Sequence, residues 1–268
     1  MRSFLKWAGN KYQIIDRIRA TLPPGNRLVE PFLGSGAVFL NTDFPRYLLS
    51  DNNNDLIQLY LHLQTEGNSF INFCRKLFSP ENNTKQAYYE LRTKFNTTRS
   101  VRLKSALFLY LNKHCYNGLC RYNAKGGFNV PFGKYKRPYF PENEMLNFHR
   151  KSQQAIFKHA DFRDTMRSAK PGDVVYCDPP YVALSETANF TSYSAGGFGM
   201  QQQQELADLA RILAAKGIPV VISNHRTKFT VKAYSPYAKI KNLNVQRYIS
   251  CNGDNRGKAS EVLAVFAA

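Results

Sequence analysis

The sequence predicts an α/β protein: a doubly wound, largely parallel sheet interrupted by an inserted, mainly helical block. Three observations carry this. Residues 27–51 read as strand, glycine turn, helix start and second strand. Helical patterns then follow one another from residue 56 to residue 111 without a strong strand, and after residue 147 alternating strands and helices return. A sheet domain split by a helical insertion accounts for all three. The expected division is 1–55 with 148–268 for the sheet domain and 56–147 for the insertion.

The chain opens on Phe4-Leu-Lys-Trp-Ala-Gly-Asn-Lys11, ahead of any regular element. The segment sets an indole and two amines close together; Trp7 docked on the core would be its structural explanation. Ile14, Ile15, Ile18 and Leu22 then predict a helix over 13–22, stopped by Pro23-Pro24-Gly25. A strand through Val29 leads to a tight turn at Gly34-Ser35-Gly36. Glycines between a strand and a helix let the backbone approach a ligand and aim helix N–H groups at it. The second strand, Arg46 to Ser50, ends at Asp51, where a carboxylate is placed to accept ribose hydroxyls. The turn is neither the full dinucleotide fingerprint nor a phosphate loop. A nucleoside cofactor is expected, and phosphate binding is not implied.

Helical periodicity covers Leu56–Leu63, Phe70–Phe78, Ala87–Phe95 and Arg102–Leu111. These lead into residues 113–139, where aromatic rings alternate with Arg, Lys and Asn. That is equipment for phosphate contact, base-edge readout and stacking. The same asparagines and glycines also fit a turn-rich hairpin with no ligand. Ala155 to His159 reads as a strand, and the apolar run Asp173–Cys177 as a strand buried on both faces. Ala183–Met200 is polar and glycine-containing, the composition of a mobile lid. Leu206, Leu209, Ala210 and Leu213 share a helix face, and Ile218–His225 is another buried strand, with His225 read as structural. Lys239–Ser250 and Glu261–Phe266 are expected strands around Asn252–Gly257.

Charge narrows the partner. Lys and Arg number 37 against 19 Asp and Glu, a net charge of +18. A surplus of that size suits a polyanion, most often nucleic acid, and it favours the ligand-binding reading of residues 113–139. No apolar run reaches the roughly 18 residues of a membrane span, and the amino terminus shows no signal-peptide core. A cytoplasmic protein without membrane attachment is expected. Five cysteines without Cys-x-x-Cys spacing predict free thiols, with neither zinc nor a disulfide framework.

The apolar run at Asp173 ends abruptly in Asp178-Pro179-Pro180-Tyr181. Two prolines fix φ and remove two amide donors, so the chain cannot continue as an interior strand. A carboxylate, carbonyls and a ring remain. The Asp178 carboxylate and the Pro179 carbonyl can accept both hydrogens of an NH2 group while Tyr181 stacks on the flat molecule that carries it. The plainer reading is that the prolines only end a strand and Asp178 only starts a turn. Joined to the glycine turn and Asp51, the motif describes a nucleoside cofactor beside an amino-bearing base. Methyl transfer from S-adenosylmethionine suits that site, because the sulfonium already activates the methyl group. Hydrogen bonds to both N–H groups would localise the amine lone pair for in-line attack. A base inside a duplex would have to flip out to reach such a pocket.

Taken together these residues resemble the Dam-type DNA adenine methyltransferases, alpha-group amino-methyltransferases that modify adenine in GATC. The likeness runs nearly end to end. It rests on Phe4-Leu-Lys-Trp-Ala-Gly9, Leu28-Val-Glu-Pro-Phe-Leu-Gly-Ser-Gly36, Tyr116-Asn-Gly-Leu-Cys-Arg-Tyr-Asn123, Val175-Tyr-Cys-Asp-Pro-Pro-Tyr181 and Ala188-Asn-Phe-Thr191, in that order. The resemblance implies a doubly wound S-adenosylmethionine-dependent methyltransferase fold with an inserted, mainly helical target-recognition domain. By position it implies Trp7, Lys11, Phe32, Gly34, Gly36, Asp51 and Asp178 at the cofactor, and Asp178, Pro179, Pro180 and Tyr181 at the reaction. It places Lys6, Tyr116, Asn117, Leu119, Arg121, Pro131 and Tyr135 on double-stranded DNA, with no metal and no obligate protein partner. Arg121 suits bidentate recognition of a guanine, and Tyr116 could fill the opened stack. Asn10 stands where a second glycine is usual, and Lys113-His-Cys115 departs from the expected pattern. Two other readings compete: an amino-methyltransferase for RNA or cytosine, and a basic DNA-binding protein whose methyltransferase half is inactive.

Overall fold

A computed structural model describes residues 1–182, 198–246 and 258–267. The expected lid over Ala183–Met200 lies outside them except for its last three residues. Ala188–Thr191, Cys251 and Asn252–Gly257 lie wholly outside the described residues.

Seven strands, β1 (Arg27–Glu30), β2 (Arg46–Asp51), β3 (Ala155–His159), β4 (Asp173–Cys177), β5 (Val220–His225), β6 (Lys239–Gln246) and β7 (Lys258–Phe266), form one sheet. Their order is β3-β2-β1-β4-β5-β7-β6. β1 runs parallel to β2 and to β4, and β4 runs parallel to β5. β7 is antiparallel to both of its neighbours, β5 and β6. The fold is the doubly wound α/β type. β4 is buried at every position, which is why its sequence shows no alternation. The chain leaves β1 toward β2 on one side and returns into β4 on the other, so the strand order reverses between β1 and β4. The segment after β1 carries Gly34-Ser35-Gly36, and the segment after β4 carries Asp178–Tyr181. At the opposite ends, Arg27 grips Asp173 with both Nε and Nη2, at 2.9 and 2.6 Å.

Among the described residues the helices are α1 (Ile15–Arg19), α2 (Ala37–Leu40), α3 (Asn54–Glu66), α4 (Asn68–Arg75), α5 (Lys85–Thr97), α6 (Val101–His114), α7 (Glu142–Ser152), α8 (Phe162–Arg167), α9 (Met200–Ala215) and α10 (Lys228–Tyr234). The helix expected over 13–22 is a short 3-10 turn at Tyr12–Ile14 followed by the five-residue α1. Leu22 precedes Pro23, and the residue before a proline is pushed out of helical geometry. Side chains start three of the insertion's helices: Asn53, Thr84 and Ser100 accept backbone N–H bonds from Leu56, Ala87 and Leu103.

The chain divides into two compact units, one of Met1–Lys11, Leu33–Asn41 and Asp51–His159, the other of Tyr12–Phe32, Thr42–Ser50 and Ala160–Ala268. The whole of 56–147, the segment expected to read DNA, lies in the first unit. That unit is built around buried rings. Tyr60 stacks on Phe148 at 4.7 Å, and Phe4 meets Phe148 edge-on at 5.1 Å. Phe4 is fully buried, so it anchors the amino-terminal segment, while Lys6 and Trp7 stay partly exposed. In the second unit Val29, Leu48, Val175, Leu206, Val220, Ile222 and Val262 form one core.

Candidate functional site

In the first unit, the glycine turn is held at both of its polar groups. Gly34 N–H donates to Asp51 Oδ2 at 2.9 Å, and the Tyr60 hydroxyl donates to the Gly34 carbonyl at 2.7 Å. Gly34 and Gly36 take φ of 49° and 70°, the left-handed region that favours glycine. A Cβ on Gly34 would lie 2.8 Å from Trp7 Nε1, so the indole packs there only because residue 34 has no side chain. Asp51 Oδ1 accepts the Asn53 N–H at 2.9 Å. Burial raises the Asp51 carboxyl above its ordinary value, against the pull of the Gly34 and Asn53 N–H groups. Trp7 and Asp51 therefore both meet Gly34. Lys11 is buried, and its Nζ donates to the Gly9 carbonyl at 2.8 Å. Phe32 belongs to the second unit, where it stacks on Phe162 at 5.3 Å and meets Phe198 edge-on at 5.4 Å.

The acceptor motif lies in the second unit. Ser223 Oγ donates to Asp178 Oδ1 at 3.0 Å and itself accepts the Tyr176 hydroxyl at 3.1 Å. Tyr181 donates its hydroxyl to Glu261 Oε2 at 3.2 Å. Burial, then the neighbouring Asp178 charge, lifts the Tyr181 phenol well above its ordinary range, so the ring stays protonated and neutral. Pro179 is buried and Pro180 exposed. His225, read as structural, packs against the motif's exit. Its Nδ1 lies 2.7 Å from the Val182 carbonyl, and its ring stands edge-on to Tyr181 at 4.7 Å. A carbonyl only accepts, so Nδ1 carries a proton.

Ser223, Asn224, Gln203 and Glu261 were not singled out from the sequence. One signal was present. The strand Val220–His225 is apolar until its carboxyl end, where Ser, Asn and His follow in succession. Polar residues at the end of a buried parallel strand, next to another strand ending in Asp-Pro-Pro, point to a shared network.

The basic loop belongs to the first unit. Tyr116 and Asn117 sit on a short 3-10 turn, Asn117 in the left-handed region with φ 53°. The loop folds back on itself: Tyr116 N–H donates to the Pro131 carbonyl at 2.9 Å, and Asn129 N–H to the Arg121 carbonyl at 3.1 Å. Lys6 Nζ lies 3.8 Å from the Tyr135 ring centre and donates to the Lys113 carbonyl at 3.3 Å. The Tyr135 hydroxyl accepts the Asn117 N–H at 3.1 Å, which joins three of the expected DNA contacts. Leu119 is half-buried, and its carbonyl takes the Cys115 thiol. Arg121 is exposed, with Nε on Asn129 Oδ1 at 2.7 Å and Nη2 on the Asn129 carbonyl at 3.4 Å. Its Nη1 makes no hydrogen bond among the described residues. Tyr116 is 53% exposed, a large ring with its face available for stacking. Lys6, Tyr116, Asn117, Leu119, Arg121, Pro131 and Tyr135 thus fall within one connected stretch of the first unit.

Cys74, Cys115, Cys120 and Cys177 are free, and burial pushes the Cys115 and Cys120 thiols up to about 12. Among the described residues no three His, Cys, Asp or Glu side chains come together as a metal site. Among them, too, no helix is long and apolar enough to cross a membrane.

A family model described as "D12 class N6 adenine-specific DNA methyltransferase" matches residues 7–249. The DNA adenine methylase of Salmonella typhi is 51% identical over 265 residues, 99% of this chain and 95% of that protein. The DNA adenine methylase of Escherichia coli K12 is 50% identical over the same coverage of both chains. That of Vibrio cholerae is 50% identical over 266 residues, 99% of this chain and 96% of its own.

Proposed function

Because the chain belongs to the D12 class N6 adenine-specific DNA methyltransferases, we propose that it methylates adenine in GATC sites of double-stranded DNA and flips the target base to do so. Transfer from S-adenosylmethionine to adenine N6 in DNA is the family's activity. The site sequence, the flipping and the residue roles are the proposal. The observation that carries it is the acceptor edge at the end of β4: a carboxylate aimed by Ser223, followed by two residues with no N–H to donate.

The residues suit the cofactor. The turn at Gly34 accepts an indole where any Cβ would collide, and beside it lies a buried carboxylate bound to backbone N–H groups. Trp7, Lys11, Phe32, Gly34, Gly36, Asp51 and Asp178 would hold S-adenosylmethionine, with Asp51 accepting its ribose hydroxyls. When bound, S-adenosylmethionine supplies a methyl group already activated by its sulfonium. Asp178 and the Pro179 carbonyl accept the two hydrogens of the adenine N6 amine, which localises its lone pair and stabilises the positive charge that develops on nitrogen. The proton leaves nitrogen after transfer, so Asp178 need not act as a strong base. Tyr181 stacks on the extruded ring, and Pro180 keeps the motif free of competing donors.

Residues 56–147 would form the target-recognition domain. Lys6, Tyr135 and Pro131 would position the duplex, with Asn117 and Leu119 at the bases and Tyr116 in the gap left by the flipped adenine. Arg121 is held by Asn129 through its Nε side, which leaves Nη1 to complete a fork on guanine. Arg121→Ala should relax discrimination at one guanine of the site by about 1–3 kcal/mol. Initial rates on single-base variants measure this, and an equal loss on every sequence would make Arg121 a phosphate contact instead. Flipping is tested with 2-aminopurine in place of the target adenine. Its emission should rise when protein binds a GATC duplex, and an unchanged signal would contradict extrusion of the base.

A further inference from the structure

Asp178-Pro179-Pro180-Tyr181 contains two prolines, which have no N–H and so donate no backbone bond to hold the loop. The second unit supplies two buried amide side chains. Gln203, on α9 and 1% exposed, donates Nε2 to the Pro180 carbonyl at 2.7 Å. Asn224, on β5 and 0% exposed, accepts the Val182 N–H on its Oδ1 at 3.1 Å.

These two bonds fall on either side of one residue. The Pro180 carbonyl belongs to the peptide plane entering Tyr181, and the Val182 N–H belongs to the plane leaving it. Holding both planes holds Tyr181's φ and ψ, and hence the direction in which its ring leaves the backbone. The two amides are joined to each other: Asn224 Nδ2 donates to Gln203 Oε1 at 2.9 Å. The same Nδ2 donates to the Tyr234 hydroxyl at 3.1 Å, and Oδ1 also accepts the His225 N–H at 2.9 Å. Asn224 thereby uses both hydrogens and both lone pairs of its amide. Neither amide can turn over without setting donor against donor, so the network has one orientation. A satisfied buried network of this kind rigidifies what it touches.

We propose that Gln203 and Asn224 are positioning residues for methyl transfer, an amide bridge that fixes the backbone on both sides of Tyr181 and so sets the plane on which the flipped adenine rests. The inference rests on the reading that Tyr181 stacks on that adenine. Its signature is a slow chemical step in a protein that binds normally. Misplacing a reacting group by about 1 Å costs up to roughly a hundredfold in rate.

The test uses the full chain, a GATC duplex and S-adenosylmethionine. Gln203→Met removes the donor at nearly constant volume. Gln203→Glu keeps the shape and presents an acceptor to the Pro180 carbonyl. Each should slow single-turnover methyl transfer roughly 10- to 100-fold, with dissociation constants for duplex and cofactor within about threefold of the parent. Emission from 2-aminopurine at the target position should rise above the parent complex, because a displaced ring quenches less. Wild-type rates and emission in both variants, or a loss matched by weaker binding of both ligands, would overturn the bridge. Tyr181→Ala, run in parallel, separates the two failures. If it transfers at the parent rate, the stacking reading is wrong; if it is slow while both Gln203 variants are fast, only the bridge is wrong.

Discussion

Asp178→Ala should lower single-turnover methyl transfer by at least about 10²–10³-fold and leave duplex affinity nearly unchanged. The magnitude follows from what the carboxylate does. Losing one preorganised group aimed at transition-state charge costs about that much, and on the proposed reading the charge develops on the nitrogen whose hydrogens Asp178 would accept. Binding is spared because Lys6, Tyr116, Arg121 and Tyr135, which would hold the duplex, lie in the other compact unit. Asp178→Asn makes the test sharper. The Ser223 hydroxyl donates to Oδ1 at 3.0 Å, a closer approach than its 3.4 Å to the Cys177 carbonyl. It would hold the amide oxygen in that position and turn the amide NH2 toward the adenine amine, donor against donor. Asn should therefore be no better than Ala, although it is nearly isosteric. An active Asp178→Asn enzyme would remove the amine-holding role.

Asp51→Ala should weaken S-adenosylmethionine binding at least about tenfold, equivalent to ~1.4 kcal/mol, with duplex affinity within about twofold. Hydrogen bonds to a charged acceptor are worth about 1.5–3 kcal/mol, and the mutation also frees the Gly34 N–H that shapes the turn. The raised pKa adds a second signature. Burial makes ionised Asp51 costly, so the folded chain holds the proton more tightly than the unfolded chain does. Its contribution to stability is present in acid and lost as pH rises through the raised value. On the proposed reading ribose hydroxyls would donate to the ionised form and offset that cost. Cofactor affinity should therefore fall on acidification at a higher pH than an ordinary aspartate would impose, and Asp51→Ala should flatten that dependence. Calorimetric titration across pH measures both effects; an unchanged dissociation constant would detach Asp51 from the ribose.

Local signals carried much of the fold. The buried runs at β1, β2, β4 and β5 were legible because parallel strands covered on both faces are continuously apolar. Asp51 was legible because it ends such a strand after a glycine turn. The sheet's far edge was not. That β7 would lie between β5 and β6 depends on long-range pairing, and no local pattern encodes it. α8 and α10 are six and seven residues long, too short for a helical period to register.

The site divides along the same line. Asp178, Pro179 and Tyr181 were visible because two prolines after a buried strand are a local anomaly. Gln203, Ser223 and Asn224 were not, because each matters through a partner distant in the chain. Asn224 bonds Val182, 42 positions away, and Gln203 bonds Pro180, 23 positions away. The contacts of His225, read as structural, were not visible for the same reason: Val182 and Tyr181 lie on a neighbouring strand's exit loop. The insertion's role rests on composition and family, since its arginines, asparagines and tyrosines acquire meaning only against a duplex.

Adenine methylation at GATC is checked most directly by offering the purified protein labelled S-adenosylmethionine with a GATC duplex and its single-base variants, and locating the methyl group by mass spectrometry. N6-methyladenine is expected in the GATC duplex and little or none in the variants. Methyl on cytosine, or adenine methylation that ignores the flanking bases, would contradict it.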